Sequence, residues 1–166
     1  ATEGELDMAI IMRPVYSDAL NEIPIIKNQM VACVNKSHPW ASRNFVTIRD
    51  FKDVPFVTFD ENFNIHTQLL ERFRAENIQP DFALTSSSSQ FLYKYATLSN
   101  SILILPIPMI ELYCKDDPIK MIPFSPTFPW ELSLIFRKNV FLSTAAKALI
   151  NFIQEYIFQN SRDSYY

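Results

Sequence analysis

Pro55-Phe56-Val57-Thr58-Phe59, Asp81-Phe82-Ala83-Leu84 and Ile102-Leu103-Ile104-Leu105 are three short apolar or half-apolar runs separated by two segments of helical period. In the first segment Ile65, Leu69, Leu70 and Phe73 fall on one face of a helix from about 65 to 77, and in the second, from about Ser89, Phe91, Leu92, Tyr95 and Leu98 do the same. Short strands that alternate with helices predict an α/β fold with a mainly parallel sheet, because each parallel connection needs a crossover long enough for a helix. Working outward, apolar runs at 6–12, 30–34, 120–124 and 132–136 add four strands. Pro108 suits the first turn of a short helix through Tyr113, where its missing N–H costs nothing. Ser143 is placed to cap a last helix in which Ala145, Leu149, Phe152, Ile153 and Tyr156 recur at helical spacing. Beyond Phe158 the tail 159–166 is polar apart from two tyrosines and is expected to fray.

Gly4 is the only glycine in 166 residues. Phosphate-cradling GxxxxGK loops, GxGxxG dinucleotide turns and GxSxG nucleophile elbows all need glycine for close backbone approach or positive φ, so those chemistries are excluded. Turns must use Asn, Asp, Ser and the eleven prolines instead. Asn77 and Asn100 stand where helices should end, and asparagine tolerates the left-handed capping conformation best after glycine. With 15 Lys and Arg against 18 Asp and Glu, a net charge of −3 and no basic stripe, this segment is not expected to bind a duplex itself. No apolar run approaches the roughly 20 residues of a membrane helix, and no signal-peptide pattern opens the chain, so a soluble cytoplasmic protein is expected. His38 and His66 are the only histidines and have no third ligand at metal spacing; they read as surface or capping residues, with no metal or cofactor expected. Cys33 and Cys114 form no CxxC pair and read as buried reduced thiols. Trp40 and Trp130, with fourteen Phe and seven Tyr, read as core rather than base-stacking platforms, since no basic residues interleave them.

Several short signatures occur in a fixed order. They are Gly4-Glu5-Leu6-Asp7-Met8-Ala9-Ile10-Ile11, Met30-Val31-Ala32-Cys33-Val34, His38-Pro39 and Phe51-Lys52-Asp53-Val54-Pro55-Phe56-Val57. Then come Ser86-Ser87-Ser88-Ser89, Ile102-Leu103-Ile104-Leu105-Pro106 and Trp130-Glu131-Leu132-Ser133-Leu134-Ile135-Phe136-Arg137-Lys138, followed by the last helix. No single piece is specific, but the succession resembles the effector-binding domain of LysR-type transcriptional regulators. The resemblance implies a periplasmic-binding-protein-like, two-lobed fold, with a single effector-binding domain fragment spanning 1–166. The second lobe is complete at 26–121, and a partial first lobe is formed by 1–25 and 122–166. It further implies that the winged helix-turn-helix head, linker helix and opening segment of the first lobe are absent. The family often has glycine near Asn100, a departure that touches helix termination rather than ligand chemistry.

The expected function follows from the resemblance. A small organic effector, an anion such as a carboxylate, binds between the lobes of a domain that is not an enzyme. The domain pairs as a homodimer or higher homo-oligomer and reaches DNA only through the missing head, with no membrane partner. The alternatives are a transport-type solute-binding domain of the same topology, or a small α/β enzyme using Asp60, Glu61 or a serine. No paired His, Cys or Lys base supports the enzyme.

The serine run follows a strand and opens a helix, so hydroxyls and first-turn N–H groups gather at the C-terminal end of the sheet, where a small anion binds without a charged partner. The alternative is that one serine caps the helix and the rest are loop. The family's ligand contacts lie at this turn, which favours Ser86 and Ser87, with Ser88 or Ser89 as cap. A second turn, Phe59-Asp60-Glu61-Asn62-Phe63-Asn64, also leads into a helix. There Asp60 and Glu61 fit helix-dipole stabilisation better than acid/base work, and Asn62 is a candidate ligand contact. Arg13 could grip a ligand carboxylate with its planar fork or form a surface or inter-lobe ion pair. Thr127 and Phe128 could line the cleft opposite the serines or simply form a proline-bounded turn.

Overall fold

The runs rich in Ile, Val, Leu and Phe become strands whose interiors carry the core. The structure, a computed structural model, describes residues 7–138 and 141–163, with side chains described as far as Tyr156. In chain order the elements are β1 (Met8–Met12), β2 (Leu20–Asn35), two 3-10 turns (Pro39–Ser42 and Ile48–Phe51), β3 (Phe56–Phe59), α1 (Asn64–Ala75), β4 (Phe82–Ser86), α2 (Ser89–Ser99), β5 (Ile102–Pro106), α3 (Ile107–Glu111), β6 (Ile119–Pro123), β7 (Pro129–Arg137) and α4 (Thr144–Asp163). Contacts divide the chain into two compact units, Asn28–Pro129 and Ala1–Lys27 with Trp130–Tyr166. The start of the first signature, Gly4 to Leu6, lies outside the described residues. Among the described residues no helix is long and apolar enough to cross a membrane.

In the unit Asn28–Pro129 the strands lie in the order β6-β2-β5-β3-β4. Only β3 with β4 and β3 with β5 are parallel; β2 runs antiparallel to both β5 and β6. The sheet is therefore mixed, not mainly parallel. Apolar runs cannot reveal this, since pleat and burial are alike in both pairings. Every residue of β3 and β5 is buried, as helix-covered central strands require, whereas β4 alternates half-buried and exposed residues. Phe51 is the hub of the aromatic core, with ring centroids of Trp40, Phe56, Phe73 and Phe124 at 5.0, 5.4, 6.2 and 5.8 Å.

Helix α1 buries Ile65, Leu69 and Phe73 as its spacing predicts. Helix α2 is rotated from expectation: of the expected face Leu92 is buried and Tyr95 half-buried, but Phe91 and Leu98 are exposed, and Tyr93 and Ala96 are buried instead. Apolar residues run around much of this helix, so periodicity could not choose the face. Ser88 caps α2 by accepting from the Phe91 N–H at 3.2 Å. Asn100 takes the left-handed cap at φ 54°, with the Ser101 N–H donating to the Ala96 carbonyl; Asn77 has φ 55° after α1. Asp53, at φ 59°, is a third such position that the sequence did not flag.

Asp50 closes the turn before β3, accepting from the Thr47 N–H and hydroxyl at 2.6 and 2.8 Å and from Arg43 at 2.7 Å. Partial burial pushes its carboxyl up, but the hydrogen bonds from Thr47 and Arg43 outweigh that and hold it below its ordinary value. A depressed folded-state pKa gives stability that is present above the unfolded value, near 3.8, and lost as pH falls through the folded one. Asp50→Asn is accordingly expected to lower stability at pH 7 by about 1 kcal/mol. Urea titrations should show the gap to wild type closing as pH falls below that value; a gap unchanged with pH would contradict this account.

In the other unit β1 pairs antiparallel with β7 from Met8↔Phe136 to Met12↔Leu132, and β7 lies beside β2. Trp130, Leu134 and Ile135 are buried, and Ser143 caps α4 by accepting from the Ala146 N–H at 3.1 Å. The buried stripe of α4 is Ala146 and Ile150; of the expected set Ala145, Leu149, Phe152 and Tyr156 are exposed and Ile153 is half-buried. The helix also continues to Asp163, past the point where fraying was expected; 164–166 lie outside the described residues.

Candidate functional site

Strands β3 and β4 are parallel neighbours, so their C-terminal ends emerge on the same side, each leading directly into a helix. Phe59 is paired with Ser86, and the Asp60 N–H donates to the Ser86 carbonyl at 3.2 Å. That bond sets the two turns side by side, bringing the Asn62 turn against the serine run. β4 runs two residues further than the apolar pattern suggested, which makes Ser86 a strand residue rather than loop.

The serine turn is built from its own hydroxyls. Ser86 Oγ accepts from the Ser88 N–H at 3.2 Å, and Ser88 Oγ caps the helix. Ser89 Oγ lies 2.9 Å from the Tyr113 hydroxyl. Ser86 is half-buried and Ser87 exposed, so Ser87 presents its side chain to solvent beside the first-turn N–H groups of α2. In the neighbouring turn Asp60 Oδ1 accepts from both the backbone N–H and the side-chain amide of Asn62, each at 3.1 Å. This holds Asn62, itself exposed, in a fixed pose and commits Asp60 to the turn. His66, on the first turn of α1, has Nδ1 2.8 Å from the Phe59 carbonyl and its ring stacked on Phe82 at 4.7 Å. It anchors the start of α1 to the end of β3.

The remaining candidates lie elsewhere. Arg13 belongs to the unit containing β1 and β7, where it pairs with Glu22 at 2.6 Å and Glu131 at 2.9 Å; Ser133 donates to the same Glu22 at 2.7 Å. Both carboxylates are of its own unit. Thr127 is exposed, whereas Phe128 is buried, its carbonyl accepting from the Met30 N–H at 2.8 Å and its ring covered by the Arg72 guanidinium at 4.0 Å. Sequence reasoning missed Arg72, because nothing in helical spacing marks which charged residue folds down over a distant ring.

His38 caps the first 3-10 turn, its Nδ1 accepting from the Trp40 N–H, and burial holds its pKa below the ordinary value. Both observations describe a neutral ring. Cys33 is buried in β2 and its thiol is pushed up to about 12, first by burial and then by the charge of Cys114; Cys114 is only half-buried. Among the described residues no group of three or more His, Cys, Asp or Glu could hold a metal ion.

The family model described as LysR substrate binding domain matches residues 1–157. The uncharacterized HTH-type transcriptional regulator YwbI of Bacillus subtilis (strain 168) is 29% identical over 166 residues, covering 98% of this chain and 54% of that protein. The chain spans about half the length of the curated relatives it matches. Among solved structures, the Synechocystis PCC6803 CcmR regulatory domain in complex with 2-PG superposes with a TM-score of 0.81 at 14% identity, covering 94% of this chain and 76% of that one. The effector binding domain of QuiR in complex with shikimate superposes with a TM-score of 0.73 at 20% identity, covering 95% and 75%.

Proposed function

The chain belongs to the LysR substrate-binding domain family, and from that premise we propose that it is the ligand-sensing part of a transcription regulator, binding a small organic carboxylate. The observation that carries the proposal is the hydrogen bond joining Asp60 to Ser86, which brings the Asn62 and serine turns together at the ends of two parallel strands. The Ser86 and Ser87 hydroxyls and the remaining first-turn N–H groups of α2 are donors available to one anion, beside an Asn62 amide that already gives one hydrogen bond to the Asp60 carboxylate. Ser86, Ser87 and Asn62 are the proposed contacts, and exposed Thr127 is a further candidate. Arg13 pairs with Glu22 and Glu131 of its own unit, and Phe128 would contribute only if Arg72 moved aside. The 2-PG and shikimate bound by the two solved relatives make small molecules of this kind the first to test.

We take DNA contact to reside in the part of the full-length relatives that this chain does not span, since a net charge of −3 does not favour duplex binding. Homo-oligomers are part of the same reading, supported by the row of exposed apolar side chains Leu149, Phe152 and Tyr156 on α4. Ligand binding to the folded state raises its melting temperature by mass action. A panel of shikimate, 2-PG and, separately, small hydroxy-carboxylates is expected to contain a stabilising ligand whose affinity Ser86→Ala or Ser87→Ala weakens by about 1 kcal/mol. Tight calorimetric binding that neither substitution alters would place the site elsewhere.

A further inference from the structure

Arg72 lies on α1 with its guanidinium carbon 4.0 Å from the centroid of the Phe128 ring, itself almost wholly buried. Among the described residues Arg13, Arg43 and Arg49 each pair with a carboxylate within 4.0 Å, whereas no carboxylate lies that close to Arg72. Burial holds the Arg72 pKa below its ordinary value, a sign of lost hydration that no counter-ion makes good. Stacking on an aromatic face fixes the fork of the guanidinium in place and leaves its edges able to donate.

Beside this arginine lies a cavity of about 320 Å³, walled by Ile48, Arg72, Ala75, Phe124, Ser125 and Pro126 among others. That volume stands at the lower end of the roughly 300–1,000 Å³ typical of small-molecule sites, room for one ring-sized body and too little for a nucleotide. The walls divide by chemistry. Ile48, Ala75, Phe124 and Pro126 are apolar, while Arg72 and the Ser125 hydroxyl supply donors. The other charges nearby cancel locally: Arg49 and Glu76, which also border the cavity, pair at 2.7 Å, and Asp50 is held by Arg43 at 2.7 Å and by Thr47. Arg72 is thus left as the net charge of the site. None of Ser86, Ser87 and Asn62 borders it.

We propose that this cavity is a second ligand site, separate from the serine turn, which takes a small monocarboxylate with a compact apolar body. The carboxylate meets the Arg72 fork and Ser125; the body packs on Ile48, Ala75, Phe124 and Pro126. A neutral analogue leaves the half-buried guanidinium without a counter-ion and binds worse.

The test titrates phenylacetate and, separately, phenylacetamide into the isotopically labelled whole chain and follows backbone amides. Phenylacetate is expected to move Ile48, Ala75, Phe124 and Ser125, with phenylacetamide at least tenfold weaker. Arg72→Gln should weaken phenylacetate at least tenfold. Should that variant disturb folding by uncovering Phe128, Ala75→Leu decides the matter, because it fills the cavity from the exposed side of α1 and should abolish those shifts. Shifts confined to 60–64 and 86–90 would overturn the second site while leaving the proposed function standing. Equal binding of acid and amide, unchanged binding in Ala75→Leu, or no shifts at the cavity would each overturn it as well.

Discussion

Phe51→Ala is expected to lower the unfolding free energy of the Asn28–Pro129 unit by about 3–5 kcal/mol, the cost of emptying a fully buried phenylalanine site. The ring has no exposed surface and touches four aromatic neighbours, one each from the first 3-10 turn, β3, α1 and the segment after β6. Its stack on Phe124 has an interplanar angle of 21°, and its contacts with Trp40, Phe56 and Phe73 are edge-on, so the cluster is fixed by shape as well as by area. Neighbours tied to separate elements cannot all collapse into one hole, which puts the loss at the upper part of the range. Denaturant titration of wild type and variant measures it. A loss below about 1.5 kcal/mol would mean that the cluster repacks as readily as a volume-conserving swap allows.

A second large effect is expected for Cys33. Alkylation proceeds through the thiolate, and a thiol at about 12 rather than 9.0 has roughly a thousandfold less thiolate near pH 8. Burial adds to this, since Cys33 is only 3% exposed within the β2 ladder that pairs with β5 and β6. Iodoacetamide at pH 8 should therefore modify Cys33 at least a thousandfold more slowly in the native protein than in urea, read by mass spectrometry of the digest. Native labelling at the rate of an open thiol would show that the β2 region opens freely.

The alternation between Pro55 and Leu105 was enough to locate β3, α1, β4, α2 and β5, because burial on both faces demands unbroken apolar runs and helix packing demands a stripe. The capping roles of Ser88, Asn77, Asn100 and Ser143 were legible for the same local reason: side-chain oxygens and left-handed tolerance act within a few residues. Direction and rotation were not. Whether β2 runs with or against β5 depends on where the chain returns from, and an apolar run has no polarity of its own. Phe91 and Leu98 were assigned to the buried face of α2 and Leu149 and Phe152 to that of α4, since a helix with apolar residues on more than one side offers several faces and tertiary contacts select one. At the candidate site the serine turn was visible as a strand-to-helix junction. Its pairing with the Asp60 turn and the cover that Arg72 gives Phe128 were not, because both join residues whose proximity only the folded chain creates.

The most direct test of the ligand-sensing reading is a map of backbone amide shifts on titrating the labelled chain with the small hydroxy-carboxylates of the thermal screen. The account predicts saturable shifts that cluster at 60–64 and 86–90, the two turns joined by Asp60 and Ser86, and that disappear in a Ser86→Ala, Ser87→Ala double variant with an otherwise native spectrum. Saturable binding that leaves both turns unmoved, or persists unchanged in the double variant, would contradict it.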